Sequence, residues 1–225
     1  MLKRCAEADS ERRGGHGEHD SGDDQRQFAF LGHDGFSFDR LRDLLVEPVG
    51  ATGGQSKRDD PNFTQPIVNL LAAADRYRAL ADIGRAAGVT PIVEVWGFSR
   101  TLSRLGEAVL VAAESRSPDG CVLPDTYHLY KGGSDADGLR MLSASAIGIF
   151  HANDYPRIDR DKIGDADRVY PGDGVGPVRE TFARLKAMNY TGFVSLELFN
   201  RDYWKQDPHR VAATGLAKMR AAAGM

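Results

Sequence analysis

The chain has 225 residues, a formal net charge of −3 and a pI near 6.1, so its overall charge gives no pull toward nucleic acid or an anionic membrane. That length buries a sizeable core, and one α/β domain is the simplest account. No apolar run approaches the roughly 18 residues of a membrane span, and no hydrophobic stretch follows the basic start as a secretory signal requires. The two cysteines, Cys5 and Cys121, stand in unrelated contexts and do not indicate a disulfide framework. The expectation is a cytoplasmic enzyme acting on a small molecule, with no nucleic-acid or membrane partner and with self-association left open.

Residues 2 to 26 carry Asp, Glu, Arg, Gly and His with almost nothing apolar. Such a segment cannot bury enough surface to offset the entropy of ordering, so residues 1 to 26 read as a disordered polar tail. His16, His19 and Asp20 in that tail read as solvated side chains, because nothing nearby holds them as rigid ligands. From residue 27 onward short apolar runs alternate with helical patterns. FAFLG (28 to 32) and DLLVEPVG (43 to 50) are strand candidates. Pro66 opens a helical stretch in which Leu70, Ala73, Ala74, Tyr77, Leu80, Ala81 and Ile83 form one stripe, with Gly88 as its C-cap. TPIVEVWG is the next strand and TLSRLGEAVLVAAES the next helix. CVLPD follows as strand, LRMLSASA as helix and IGIFHAND as strand. After a polar loop, PVRETFARLKAMNY reads as helix, GFVSLELF as strand, and DPHRVAATGLAKMRAAA as a closing helix with Asp207 near its N-cap.

Strict β/α alternation argues for a parallel sheet. A closed (β/α)8 barrel needs eight strands and about 250 residues, whereas this pattern yields about six strands in the 27–225 domain. Either two early strands are hidden in residues 27 to 60, or the barrel is incomplete at its N-terminal end with a sheet edge to be covered.

Four chemical groups fall at the ends of the apolar runs: Glu94, Asp125, His151 and Glu197. A parallel strand buried on both faces reads as a continuous apolar run, and its C-terminal end is where such folds place catalytic groups. Each residue also has a plain reading. Glu94 and Glu197 could form structural salt bridges, Asp125 could cap a loop or helix, and His151 could be a packed histidine. Their shared position in consecutive β/α units favours convergence on one face of the sheet, as an oxygen-rich divalent metal site.

The words VEVWG at Glu94, DTYH at 125 to 128, HANDYPR at 151 to 157, RVYPGDG at 168 to 174 and YTGFVSLELFNRDYW at 190 to 204 resemble the xylose isomerase-like TIM-barrel superfamily, in its sugar phosphate isomerase/epimerase branch. The resemblance covers roughly residues 66 to 222. It implies a (β/α)8 barrel with one divalent ion held by Glu94, Asp125, His151 and Glu197. It also implies that His128, three residues after the Asp, and Arg157, six after the His, contact the substrate. Mn2+ is the first candidate, with Mg2+, Co2+ or Zn2+ as alternatives.

Such a cation polarises a ketose carbonyl and its neighbouring hydroxyl, so the proton alpha to the carbonyl is removed to give an enediolate. Glu94 and Glu197 are then the candidate acid/base pair for isomerisation or epimerisation of a sugar or sugar phosphate. Trp96, Tyr127, Tyr130 and Trp204 are candidate pocket walls, with core packing an equal alternative for each. The same scaffold also admits dehydration of a keto-inositol or related cyclic ketone, and a barrel remnant that binds sugar without turnover. The abasic-DNA endonuclease branch fits poorly, because the matching region has few histidines and the charge is acidic. Deleting residues 1 to 26 is expected to leave the melting temperature unchanged in a thermal scan; a drop of several degrees would show that this segment completes the fold.

Overall fold

The computed structural model describes residues 67–225. The tail at 1 to 26, the strand candidates at 28 to 32 and 43 to 50, and the helix-opening role of Pro66 lie outside those residues. From Leu70 onward the elements alternate as expected: α1 (Leu70–Ala87), β1 (Val93–Glu94), α2 (Leu105–Glu114), β2 (Val122–Leu123), α3 (Thr126–Gly132), β3 (Ile149–His151), α4 (Val178–Ala187), β4 (Phe193–Ser195), α5 (Arg201–Trp204) and α6 (Pro208–Ala222).

Helix α1 starts where the Asn69 side chain accepts from the backbone N–H of Leu71 and Ala72, and stops at Gly88, whose φ of 71° is the left-handed conformation a C-cap requires. It buries Ala73, Ala74, Tyr77, Leu80 and Ala81, five of the seven positions in the sequence stripe. The segment read as a helix at LRMLSASA is instead two 3-10 turns, Ala136–Met141 and Ala144–Ala146. Only Ala136 and Leu139 in the first turn are buried, and an i, i+3 pair suits three residues per turn better than 3.6. Two short helices escaped the periodicity, α3 and α5, because seven and four residues are too few to show it.

All strand pairing is parallel. Val93 pairs with Val122 and Glu94 with Leu123, while Ile149, Phe150 and His151 pair with Phe193, Val194 and Ser195. Bridges Val122–Ile147 and Asp125–His151 join the two pairs, giving the order β1-β2-β3-β4. The strand residues divide with period two. Val93, Val95, Val122, Phe150 and Ala152 pack toward the helices with Ala73, Tyr77, Ala108, Val111 and Leu185. Ile92, Cys121, Leu123 and Ile149 form a separate apolar layer. The alternation carries Glu94, Asp125 and His151 onto the side of that second layer, one step further along each strand. Among the described residues no helix is long and apolar enough to cross a membrane.

The loop after β3 is tied down by one carboxylate. Asp154 is buried, and its Oδ2 accepts from the N–H of Gly172 and Gly174 at 2.9 and 3.1 Å, while Oδ1 accepts from Gly176 and Tyr155, both at 2.8 Å. A Cβ on Gly174 or Gly176 would collide with that carboxylate, so the PGDGVG segment needs glycine there. Asp154 also bridges Val169 in antiparallel fashion, which holds Arg168 beside the strand ends. Asp154→Ala is expected to lower the unfolding free energy by about 3 kcal/mol in urea denaturation, the upper part of the range for bonds to a charged acceptor. A loss below about 0.5 kcal/mol would mean that the loop holds itself.

Candidate active site

The backbone keeps the strand ends in step. Val95 N–H donates to Leu123 O, His151 N–H to Pro124 O and Ala152 N–H to Ser195 O, all at 2.9 to 3.0 Å. Glu94 and His151 are the last residues of β1 and β3. Asp125 and Glu197 each follow a strand by two residues. The capping reading of Asp125 also holds, since its Oδ1 accepts from Tyr127 N–H at 2.7 Å as N-cap of α3.

The four groups come together. Ligand atoms of Glu94, His151 and Glu197 all lie within 4.8 Å of one another. His151 Nδ1 stands 3.8 Å from Asp125 Oδ2 and 3.7 Å from Glu197 Oε2. Those separations are too long for hydrogen bonds, and Nδ1 is buried without a hydrogen-bond partner. Two ligands each about 2.1 Å from a common ion stand roughly 3 to 3.5 Å apart, so the two His151 pairs are a few tenths of an ångström wide of that spacing, with Glu94 within 4.8 Å of His151 and Glu197. The residues present therefore suit a divalent metal.

Beside the cluster lies a residue to which the sequence reading gave no role. Arg168 is 1% exposed and stands at the centre of a charge network. Its Nη1 donates to Glu197 O at 2.9 Å and Glu197 Oε2 at 3.2 Å, and lies 3.7 Å from Asp125 Oδ2. Its Nη2 meets Asp165 Oδ1 and approaches His128 Nε2 at 2.9 Å. The guanidinium is sandwiched between the rings of Tyr127 and Phe199, 4.4 and 4.9 Å from their centroids. His128 takes a second donor, Gly97 N–H, at Nδ1 and 3.2 Å. A neutral imidazole accepts at only one nitrogen, so one of these two contacts sets donor against donor.

Burial and electrostatics pull the titrations apart. Burial, with the neighbouring Glu197 carboxylate, pushes Glu94 up to about 8. Burial acts in the same direction on Asp125, but the neighbouring His151, His128 and Arg168 outweigh it and hold that carboxyl at about 2. Burial and then the Arg168 guanidinium push His128 down to about 3, so it is neutral across the physiological range. Burial opposes protonation of His151, yet Asp125, Glu197 and Glu94 raise it overall.

Of the residues proposed from the sequence, Glu94, Asp125, His151, Glu197, His128 and Tyr127 converge. Trp96 is buried next to Phe98, which in turn borders Tyr127 and His128. Arg157 does not join them: it is exposed and makes no ion pair among the described residues. The arginine against the carboxylates is Arg168, eleven positions later. The loop between β3 and α4 is long, and it returns to the strand ends at Arg168 rather than at Arg157. Tyr130 stacks on Tyr155 with centroids 4.3 Å apart and Trp204 is 61% exposed, so packing describes the first and surface the second.

The profile of the xylose isomerase-like TIM barrel family matches residues 39–222, and the chain belongs to that family. The match begins well ahead of the words that carried the resemblance in the sequence. Among curated proteins, an inosose isomerase of Halalkalibacterium halodurans is 33% identical over 128 residues, 56% of this chain and 45% of that protein. One of Bacillus subtilis is 29% identical over 136 residues, 60% of this chain and 49% of that protein. The chain thus spans about half the length of the curated relatives it matches. Among solved structures, an IOLI protein with a bound zinc atom superposes with a TM-score of 0.66 at 24% identity, over 71% of this chain and 59% of that one. A D-psicose 3-epimerase solved in the presence of D-fructose superposes with a TM-score of 0.57 at 22% identity, over 72% and 60%. These two likenesses show the barrel fold.

The raised Glu94 makes a pH prediction for the metal-free protein. Between about 4.5 and 8 the folded state holds a proton that the unfolded chain has released, so this group's contribution to stability falls as pH rises through that window. Glu94→Gln removes the effect. Its unfolding free energy relative to the parent is expected to climb from pH 5 to pH 8 in urea denaturation, with a limiting slope of about 1.4 kcal/mol per pH unit. A difference that stays flat over that window would contradict the assignment.

Proposed function

We propose that the chain is a divalent-metal-dependent isomerase or epimerase of a polyhydroxylated ketone. The observation that carries the reading is the orphaned His151 Nδ1 facing Asp125 and Glu197, with Glu94 drawn into the same cluster, at the strand ends of a barrel of this family. Glu94, Asp125, His151 and Glu197 hold the ion, with Mn2+ the first candidate. When bound, that ion polarises the substrate carbonyl and the adjacent hydroxyl.

The chain's own residues do the rest. Glu94 ends β1 and Glu197 follows β4 by two residues, so the two carboxylates enter the cluster from the two outer strands of the described order. One takes the proton alpha to the carbonyl; the other returns one to that carbon, inverting it, or to its neighbour, exchanging carbonyl and hydroxyl. Of the two donors at His128, Gly97 N–H and Arg168 Nη2, one meets a ring N–H, and an acceptor oxygen of the substrate taken up beside that pair relieves the conflict. A neutral His128 beside a fixed guanidinium suits an oxygen that gains negative charge as the proton leaves. The apolar layer of Ile92, Cys121, Leu123 and Ile149 lies below, on the same side of the sheet. The two inosose isomerases among the relatives point to a cyclic polyol ketone as the substrate class.

The test is incubation of the Mn2+-loaded chain in D2O with an inosose and a panel of ketohexoses, followed by NMR. Deuterium uptake alpha to the carbonyl with an isomeric product is expected. Exchange with loss of water would instead mark a dehydratase, and binding without exchange a non-catalytic barrel. Glu94→Gln and Glu197→Gln are expected to keep most of the Mn2+, because an amide oxygen remains, while turnover falls roughly 100-fold or more. Parent-like turnover in both variants would reduce the two glutamates to ligands.

A further inference from the structure

Asn153 is 0% exposed and touches two of the four converging residues, yet it is neither a carboxylate nor an imidazole. Its Nδ2 donates to Asp125 Oδ2 at 2.6 Å, and its Oδ1 accepts from the backbone N–H of Glu197 at 2.8 Å. The amide has no freedom to flip, because a backbone N–H can only donate, which leaves the carboxylate facing the NH2 group. Asn153 stands two residues beyond His151, so the period of a strand places both side chains on the same side of β3. One residue of β3's extension therefore spans from the end of β2 to the end of β4.

We infer that Asn153 is a positioning residue of this site, setting the spacing and orientation with which Asp125 and Glu197 share a divalent cation. With Tyr127 N–H on Oδ1 and Asn153 Nδ2 on Oδ2, the Asp125 carboxylate has one donor on each oxygen and no remaining rotation. The same Oδ2 lies 3.8 Å from His151 Nδ1 and 3.7 Å from Arg168 Nη1. Glu197 lies beyond the last paired residue of β4, Ser195, and after the strand ladder ends its backbone is held by two side chains, Asn153 accepting from its N–H and Arg168 donating to its carbonyl. A smaller side chain at 153 leaves the Asp125 carboxylate held at Oδ1 alone and removes the bond at the Glu197 N–H. The inference rests on the metal reading above.

The experiment compares Mn2+ binding by calorimetry, and the visible absorption of the Co2+-substituted protein, in the parent, Asn153→Ala and Asn153→Asp. Alanine removes both bonds; aspartate keeps the acceptor for Glu197 N–H and the side-chain volume but loses the donor to Asp125. Mn2+ affinity is expected to fall about 10- to 100-fold in both, as for other residues that orient ligands. The Co2+ bands should shift, while the far-ultraviolet circular dichroism of the metal-free variants matches the parent. Parent-like affinity with an unchanged Co2+ spectrum would overturn the inference. So would loss of the metal-free fold in both variants, which marks a structural residue. A parent that binds no Mn2+ overturns the metal reading itself, and the two failures are thereby told apart.

Discussion

Carboxylates brought to the ends of apolar strands repel one another and lose their water, and the rest of the site is arranged around that cost. Glu94, Asp125 and Glu197 share their space with a single guanidinium, Arg168, and with His151. Glu94 is raised first by burial and then by the Glu197 carboxylate, while His151 is raised against its burial by Asp125, Glu197 and Glu94, so the crowded carboxylates bear on both. A bound cation at the orphaned His151 nitrogen offsets their charge directly. Asp125, by contrast, is the settled member, with a donor on each oxygen and the Arg168 charge nearby.

Arg168 in turn depends on the loop that delivers it. Asp154 gathers the N–H groups of Gly172, Gly174 and Gly176, and pairs with Val169, so the chain that leaves β3 returns to the strand ends before α4 begins. Asn153 and Asp154 are adjacent and serve opposite sides of the backbone. The first faces the ligand cluster and the second faces the loop. The HAND tetrapeptide thus joins a candidate metal-binding histidine, a buried amide and a loop anchor in four residues.

Much of this was legible in the sequence because parallel strands announce themselves. PIVEVWG, CVLPD, IGIFH and GFVSLELF are apolar runs interrupted by one charged or imidazole group, and a charge in such a run has few explanations. Glu94, Asp125, His151 and Glu197, which the structure brings together, stood out that way, and the family resemblance added His128. Arg157, expected to contact the substrate, is exposed and stands apart from the carboxylates, whereas the loop after β3 returns to them eleven residues later with Arg168. The signal that could have found it was the word RVYPGDG, where several glycines beside an arginine mark a tightly held loop. Asn153 was passed over because a neutral amide carries no charge to explain. The short helix at TYHLYKG was hidden by its length, although Asp125 in front of it is a good N-cap.

The central claim is that the strand ends form one divalent metal centre, and anomalous diffraction from a crystal of the Mn2+-loaded chain tests it most directly. The account predicts a single strong anomalous peak bounded by Glu94, Asp125, His151 Nδ1 and Glu197, at about 2.0 to 2.4 Å from each ligand atom. A peak elsewhere, or no peak with His151 still unpartnered in a fully Mn2+-saturated crystal, would contradict it.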